Sequence, residues 1–116
     1  MDASVLAALA KWPDVPAVYG WLSLTARGEW RLCGEPIGNA VVREFIGRNY
    51  AGDTRGRWYF QNGPQRVYVA LELAPWVYRF HPDGRLRTFT GVMPRRLLGA
   101  ALVDGARFAL LTELGI

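Results

Sequence analysis

Arg57-Trp58-Tyr59-Phe60-Gln61-Asn62-Gly63-Pro64-Gln65-Arg66-Val67-Tyr68-Val69-Ala70-Leu71 reads as two strands folded about a turn. Aromatic and β-branched residues alternate with polar ones at period two on both sides of Asn62-Gly63, the pattern of half-buried strands. Trp58, Phe60, Val67, Val69, Leu71 and Leu73 fall on one face, and Arg57, Tyr59, Gln61, Arg66, Tyr68 and Glu72 on the other. A two-residue loop at Asn62-Gly63, or a four-residue loop in the same register, pairs Trp58 with Val67 and Phe60 with Gln65 and sets Tyr59 beside Arg66. Pro64 weighs against the two-residue form, because it has no N–H to give beside the turn.

Two further hairpins sort their faces in the same way. A three-residue loop at Ala26-Arg27-Gly28 pairs Leu24 with Trp30 and Leu22 with Leu32, all apolar. Pro82-Asp83-Gly84, the strongest turn signal in the chain, pairs Phe80 with Leu86 and Tyr78 with Thr88 and leaves Arg79 opposite Arg87. Leu98 to Val103, Asp104-Gly105 and Arg107 to Leu111 suggest a fourth hairpin, although the Ala- and Leu-rich first arm also suits a helix. Gly28-Glu29-Trp30, Gly56-Arg57-Trp58 and Gly84-Arg85-Leu86 recur at even spacing. The segments between them do not match, so the rhythm reads as strands restarting after turns rather than as a repeat.

Helical period appears in two places. Asp2 followed by Val5, Leu6, Leu9 and Ala10 predicts a short N-capped helix ended by Pro13 and Pro16. Asn39 caps a second, about residues 39–49, with Val41, Val42, Phe45, Ile46 and Asn49 on the side facing the sheet. The expected fold is therefore α+β and β-rich: an antiparallel, hairpin-built sheet with a short N-terminal helix and one covering helix, in a single domain, 1–116.

Composition bounds the function classes. The chain has 116 residues, 51% hydrophobic and 21% charged, which is the composition of a folded core and not of a disordered segment. Its longest apolar run, Leu97 to Val103, is far short of the ~20 residues of a membrane-spanning helix. The first Lys, Lys11, follows the apolar stretch, which is not the charge order of a secretory signal, and Cys33 is the only cysteine. These features give a cytoplasmic expectation with no membrane partner. The net charge of +4 comes from a set in which every basic residue except Lys11 is Arg. Arg abundance follows from G+C-rich coding alone, yet Arg also suits phosphate and aromatic contacts.

Recognisable chemistry is sparse. His81 is the single histidine, which excludes paired-histidine metal sites, and its place before Pro82-Asp83-Gly84 reads as a turn flank. Cys33 reads as a buried or half-buried structural thiol. Neither Ser4 nor Ser23 lies in a Gly-x-Ser-x-Gly turn, and Gly47-Arg48-Asn49-Tyr50-Ala51-Gly52 lacks the Lys-Ser/Thr of a phosphate loop. No catalytic residue, metal or cofactor is expected. Strand parity supplies the one candidate binding surface: Arg57, Tyr59, Arg66 and Tyr68, extended by Arg79 and Arg87 should the two hairpins join one sheet. A solvated polar sheet face is the plainer account of the same residues.

The run Gly56 to Val69, followed by Leu71-Glu72 and Ala74-Pro75-Trp76, resembles a group of small uncharacterised proteobacterial proteins classed as a domain of unknown function. The resemblance continues into Leu110-Leu111-Thr112-Glu113-Leu114-Gly115. It implies a bacterial cytoplasmic protein and brings no catalytic residues, cofactor or partner. Three classes stay open: a non-enzymatic binding or interaction domain using the Arg/Tyr face; an RNA- or polyanion-binding protein using the same residues; and a small enzyme drawing on Glu72, His81, Cys33 or Asp53. An acidic protein or nucleic acid is the matching partner. The abundance of aromatics adds an expected homodimer, joined by an edge strand or by a patch including Trp21 or Trp76.

Overall fold

A computed structural model describes residues 1–105 and 107–116. The chain divides into two compact units, Met1–Leu73 and Ala74–Ile116. The first holds α1 (Ala3–Lys11), β1 (Val18–Leu24), β2 (Trp30–Leu32), β3 (Glu35–Pro36), α2 (Ala40–Arg48), β4 (Tyr50–Gly52), β5 (Trp58–Asn62) and β6 (Gln65–Leu71). The second holds β7 (Tyr78–Phe80), β8 (Leu86–Thr88), β9 (Leu97–Leu102) and β10 (Phe108–Thr112). The class is α+β and β-rich.

In the first unit the six strands form one sheet in the order β3-β2-β1-β6-β5-β4. It consists of two antiparallel three-stranded meanders laid side by side and joined at the centre by β1 and β6, which run parallel. The hairpin-built sheet expected from sequence was antiparallel throughout. Turn signals report only neighbours in sequence, so this central pairing left no local trace. Parallel neighbours need a long crossover, and α2 lies within it.

The Leu22, Leu24 and Trp30 face of β1 and β2 is the core face, continued by Tyr50, Phe60 and Val67. Trp30 meets Tyr50 edge-on at 5.1 Å, and Phe45 of α2 meets Phe60 edge-on at 5.7 Å. α2 is capped by Asn39, whose side chain accepts from the amides of Val41 and Val42. Ile46 and Asn49 are buried, whereas Val41 and Val42 are exposed, so the covering stripe is narrower than the helical period predicted. Asp2 precedes α1 but its carboxylate makes no cap bond; Arg48 takes it in an ion pair at 3.2 Å. Asn49 ties three elements together. Its side chain accepts from the Asp2 amide at 2.8 Å and donates to the Phe45 carbonyl at 2.9 Å, and its carbonyl accepts from the Gln61 amide at 2.8 Å.

The turns carry the local logic. At Thr25–Glu29, Asp53–Arg57 and His81–Arg85 the same pair of backbone bonds closes the loop, from the first amide to the last carbonyl and from the glycine amide back to the first carbonyl. Gly28, Gly56 and Gly84 sit at φ +84°, +80° and +82°, the left-handed position of a three-residue hairpin loop. The even spacing of these glycines is thus one turn type used three times.

The β5–β6 hairpin differs from the expected register. Asn62 opposes Gln65 and Phe60 opposes Val67, so the loop is Gly63-Pro64. Gly63 supplies φ +56° at the first central position and the proline ring fixes φ at the second, where no ladder N–H is required. The slip is two residues, which preserves the faces. Cys33 is exposed, not buried: with Gly34 it forms the β2–β3 turn, at φ +49° and +83°.

In the second unit β7–β8 and β9–β10 are separate two-stranded sheets. Phe80 opposes Leu86 and Arg79 opposes Arg87, in the register read from sequence. Residues 97–102 are strand, which resolves the strand-or-helix alternative. The C-terminal residues fasten this unit. The Trp76 indole donates to the Leu114 carbonyl at 2.8 Å, and the Tyr78 hydroxyl donates to the Gly115 carbonyl at 2.6 Å. Trp76 is buried by these contacts and is no surface anchor.

Two stability outcomes follow from these local arrangements, both read by urea unfolding. Asn49→Ala leaves the Asp2 amide and the Phe45 carbonyl without partners and should destabilise the chain by about 2 kcal/mol. Cys33→Asn converts the β2–β3 turn to Asn-Gly, which tolerates left-handed φ at both positions, and should stabilise it by about 0.5–1 kcal/mol.

Candidate functional site

The face of the first sheet opposite Leu22 and Phe60 carries a cluster of tyrosines and arginines. Register creates it. Tyr59 and Tyr68 are direct cross-strand partners, with ring centroids 6.1 Å apart. Arg66 and Arg57 stand diagonally to them, within reach of long side chains. The Arg66 guanidinium lies 3.8 Å over the Tyr59 ring, and that of Arg57 lies 4.5 Å over Tyr68. The parallel neighbour β1 adds Tyr19, stacked on Tyr68 at 4.8 Å with 12° between ring planes. Between Val18 and Leu22 the β1–β6 register shifts, with Gly20 at φ +79° inside the irregular stretch.

Asp53 organises the cluster from the β4–β5 turn. Its carboxylate accepts from the Arg55 amide at 2.9 Å, the Arg57 amide at 2.8 Å and Arg57 Nε at 2.8 Å, and from the Tyr68 hydroxyl at 3.3 Å. Arg57 also donates to the Tyr19 hydroxyl at 3.4 Å. Arg57 is thus held over Tyr68 by an acid whose own position is fixed by the turn. Arg66 stacks on Tyr59 with no carboxylate partner among the described residues. Tyr59 and Tyr68 are buried beneath this layer, whereas Tyr19 is 61% exposed and presents its outer ring face to solvent. Gln61, opposite Arg66, is buried; it donates to the Gly63 carbonyl at 3.0 Å while its Oε1 accepts no hydrogen bond.

The structure therefore brings Arg57, Tyr59, Arg66 and Tyr68 together. Arg79 and Arg87 stand opposite each other on β7–β8, in the second unit and on a separate sheet, so they do not extend this face as strands of one sheet. Arg87 reaches Asp83 at 3.7 Å. Of the groups with catalytic chemistry, Cys33 lies in the exposed β2–β3 turn, Glu72 accepts from the Ala26 amide at 2.8 Å, and Asp53 is held as described. His81 opens the β7–β8 turn, its amide bonded to the Arg85 carbonyl. Among the described residues no three His, Cys, Asp or Glu side chains are placed to hold a metal ion. No helix among them is long and apolar enough to cross a membrane.

Residues 1–115 match the model of a family described as "Protein of unknown function (DUF2946)". The chain belongs to this family. Among solved structures, the DUF2946 chain is similar to a DUF1285 family protein from Silicibacter pomeroyi DSS-3. The TM-score is 0.62 at 16% identity, covering 98% of this chain and 74% of that one. At that identity the likeness is one of fold. No curated protein matches the chain.

Two members of the cluster, Tyr19 and Asp53, were not among the residues singled out for the face. Tyr19 lies on β1, and nothing in sequence made β1 the neighbour of β6. Asp53 entered as one of the groups a small enzyme would draw on, and the β4–β5 turn aims its carboxylate at Arg57 instead.

Burial raises the Asp53 carboxyl, but the bonds from the Arg57 amide, the Arg57 guanidinium and the Arg55 amide outweigh it and hold the group below the ordinary 3.8. A depressed folded value means that the stability linked to this ionisation is present above the unfolded value and is lost as pH falls through the folded one. Carboxyl-carbon NMR titration should place the Asp53 midpoint below 3.8, and Arg57→Ala should move it upward. A wild-type midpoint at or above that value contradicts the arrangement.

Proposed function

We propose that the chain is a non-enzymatic interaction domain that docks a protein segment on the Tyr19, Tyr59, Tyr68, Arg57 and Arg66 face of its first sheet, in the cytoplasm. The observation that carries the reading is the prearranged stack, with Tyr19 on Tyr68 and more than half out of water and Arg66 held over Tyr59 with no carboxylate of its own. Tyrosine and arginine dominate the energetics of protein interfaces, because each offers a large flat surface with polar atoms at its edge. Here their rotamers are already fixed by stacking and by Asp53, so little conformational entropy remains to be lost on binding. The partner segment that fits has an aromatic or flat apolar group for Tyr19 and a carboxylate for Arg66. A single exposed thiol, Cys33, suits a reducing compartment.

Charge favours a protein segment over a nucleic-acid strand as the ligand. Arg57 is already neutralised by Asp53, and on the same face Arg31, which opposes Ser23, is paired with Glu29 at 3.1 Å. One uncommitted guanidinium replaces about one counterion, too few for a backbone-driven complex at physiological salt. The placement of Asp53 and Glu72, each taken up by backbone amides, supports binding over catalysis in the same way.

Panning a random peptide-phage library on the immobilised chain tests this. Enriched peptides should carry an aromatic residue with Asp or Glu, and synthetic copies should bind about 10-fold more weakly to Tyr19→Ala and to Arg66→Glu, a loss of about 1.4 kcal/mol. Peptides that bind the double variant as well as the wild type overturn the reading. So does an Arg66-dependent complex with labelled polyuridine RNA at 150 mM salt, which would restore the nucleic-acid alternative.

A further inference from the structure

We infer that the β9–β10 hairpin of the second unit is a self-association element that pairs with the same hairpin of a second copy. Leu97–Leu102 and Phe108–Thr112 contain no charged residue and no proline. Leu102 and Phe108 oppose each other at 61% and 71% exposure, and Leu111 lies exposed one position out of step with them. Since neighbouring positions in a strand point to opposite faces, both sides of the ribbon carry apolar groups in water. A two-stranded hairpin is marginal in water by itself, and one apolar on both sides gains most of its stability from a partner surface.

The open edge identifies the occupant. On the β10 side, Thr112 bridges back to Gly115, so the chain's own C-terminal turn covers part of that edge. At its start β9 is anchored by Glu113, whose carboxylate accepts from the amides of Arg95 and Arg96, but its outer edge pairs with no strand along its whole length. It carries no charge and no proline with which natural sheets blunt an edge, and its one irregularity, where Leu98 is left over between Leu97 and Gly99, lies at its first residues, leaving Gly99 to Leu102 regular. The edges of the first sheet are different: β3 has two residues and ends on Pro36, and β4 has three. Among the described residues β9 is the longest uncharged edge strand, open where β10 is partly covered, and the strand that matches it in length and chemistry is another β9. Antiparallel pairing of two such edges about a two-fold axis gives a closed, self-complementary interface.

The area comes close to what a specific interface needs. Leu97, Leu98, Leu102, Val103, Phe108 and Leu111 leave about three side-chain equivalents, on the order of 300 Å² per copy, in water. Doubled across the axis, with the backbone and alanines of β9 added, this approaches the roughly 1,000 Å² at which specific interfaces begin. A membrane surface is the poorer occupant. The tip of the ribbon carries the Asp104–Arg107 ion pair at 2.7 Å, which would have to enter the lipid first.

Light scattering and sedimentation across a concentration series of the full chain test this. The wild type should pass from 13.0 kDa to twice that mass at high micromolar concentration. Leu102→Glu and, separately, Phe108→Glu should shift the midpoint at least 10-fold, while Trp21→Glu, exposed on the first unit, should leave it unchanged. Circular dichroism checks that each variant keeps its strand content. A wild-type chain that stays at 13.0 kDa overturns the inference, including one that does so while cosedimenting with anionic vesicles. A dimer that survives Leu102→Glu and Phe108→Glu but is lost with Trp21→Glu overturns it equally.

Discussion

Everything in the first unit depends on the parallel pairing of β1 with β6. Each flanking meander has only three strands and would leave a long edge in water. Joined, the two bury Leu22, Leu24 and Val67 at the centre and leave only the short strands β3 and β4 outside. The same pairing builds the opposite face, because it sets Tyr19 of one meander on Tyr68 of the other. Core and candidate site are two sides of one pairing, whose register shifts by two residues between Val18 and Leu22 and so keeps both faces in place.

The arrangement on the open face is one of mutual restraint rather than of accumulated charge. A flexible arginine above a sheet loses rotamer freedom whenever it binds. Arg57 has already lost it, between Asp53 and the Tyr68 ring. Exposed ion pairs contribute little to stability. What the Asp53–Arg57 pair supplies is position, and its cost in binding strength is the neutralised guanidinium. Arg66 is the counterpart, held by a ring and free of an acid, so one cluster separates the group that orients from the group that can still pair.

How much of this was legible follows from the range of each signal. Turn chemistry is local, and the β1–β2 and β7–β8 registers followed from Gly28 and Gly84. The β5–β6 register moved by two residues because Asn62-Gly63 and Gly63-Pro64 are both turn dipeptides. Parity cannot separate registers that differ by two, so Arg57, Tyr59, Arg66 and Tyr68 still shared a face. The parallel crossover was not legible, since no residue in β1 states which strand lies beside it. That is why Tyr19 was missed, and why Arg79 and Arg87 were grouped with residues from which their own two-stranded sheet separates them. Cys33 misled for a different reason: a cysteine is a rare occupant of a left-handed turn position, and composition suggested burial instead.

The two units solve the same problem differently. In the first, two helices and six strands bury a continuous core, and the strand edges are short. In the second, two ribbons of two strands share no common sheet, and the terminal residues fasten the unit by bringing backbone carbonyls onto Trp76 and Tyr78. Burial raises the Tyr78 hydroxyl, with the Thr112 bond acting against that shift, as expected for a phenol held at a partly dry junction. Such polar fastening fixes where β7 and the C-terminus meet, but it buries little of the leucine-rich ribbon beyond. Six arginines against three acids leave this unit with a net positive charge. The positively charged surround opposes contact between copies elsewhere on this unit, and the uncharged ribbon is the segment where like charge sets no such barrier.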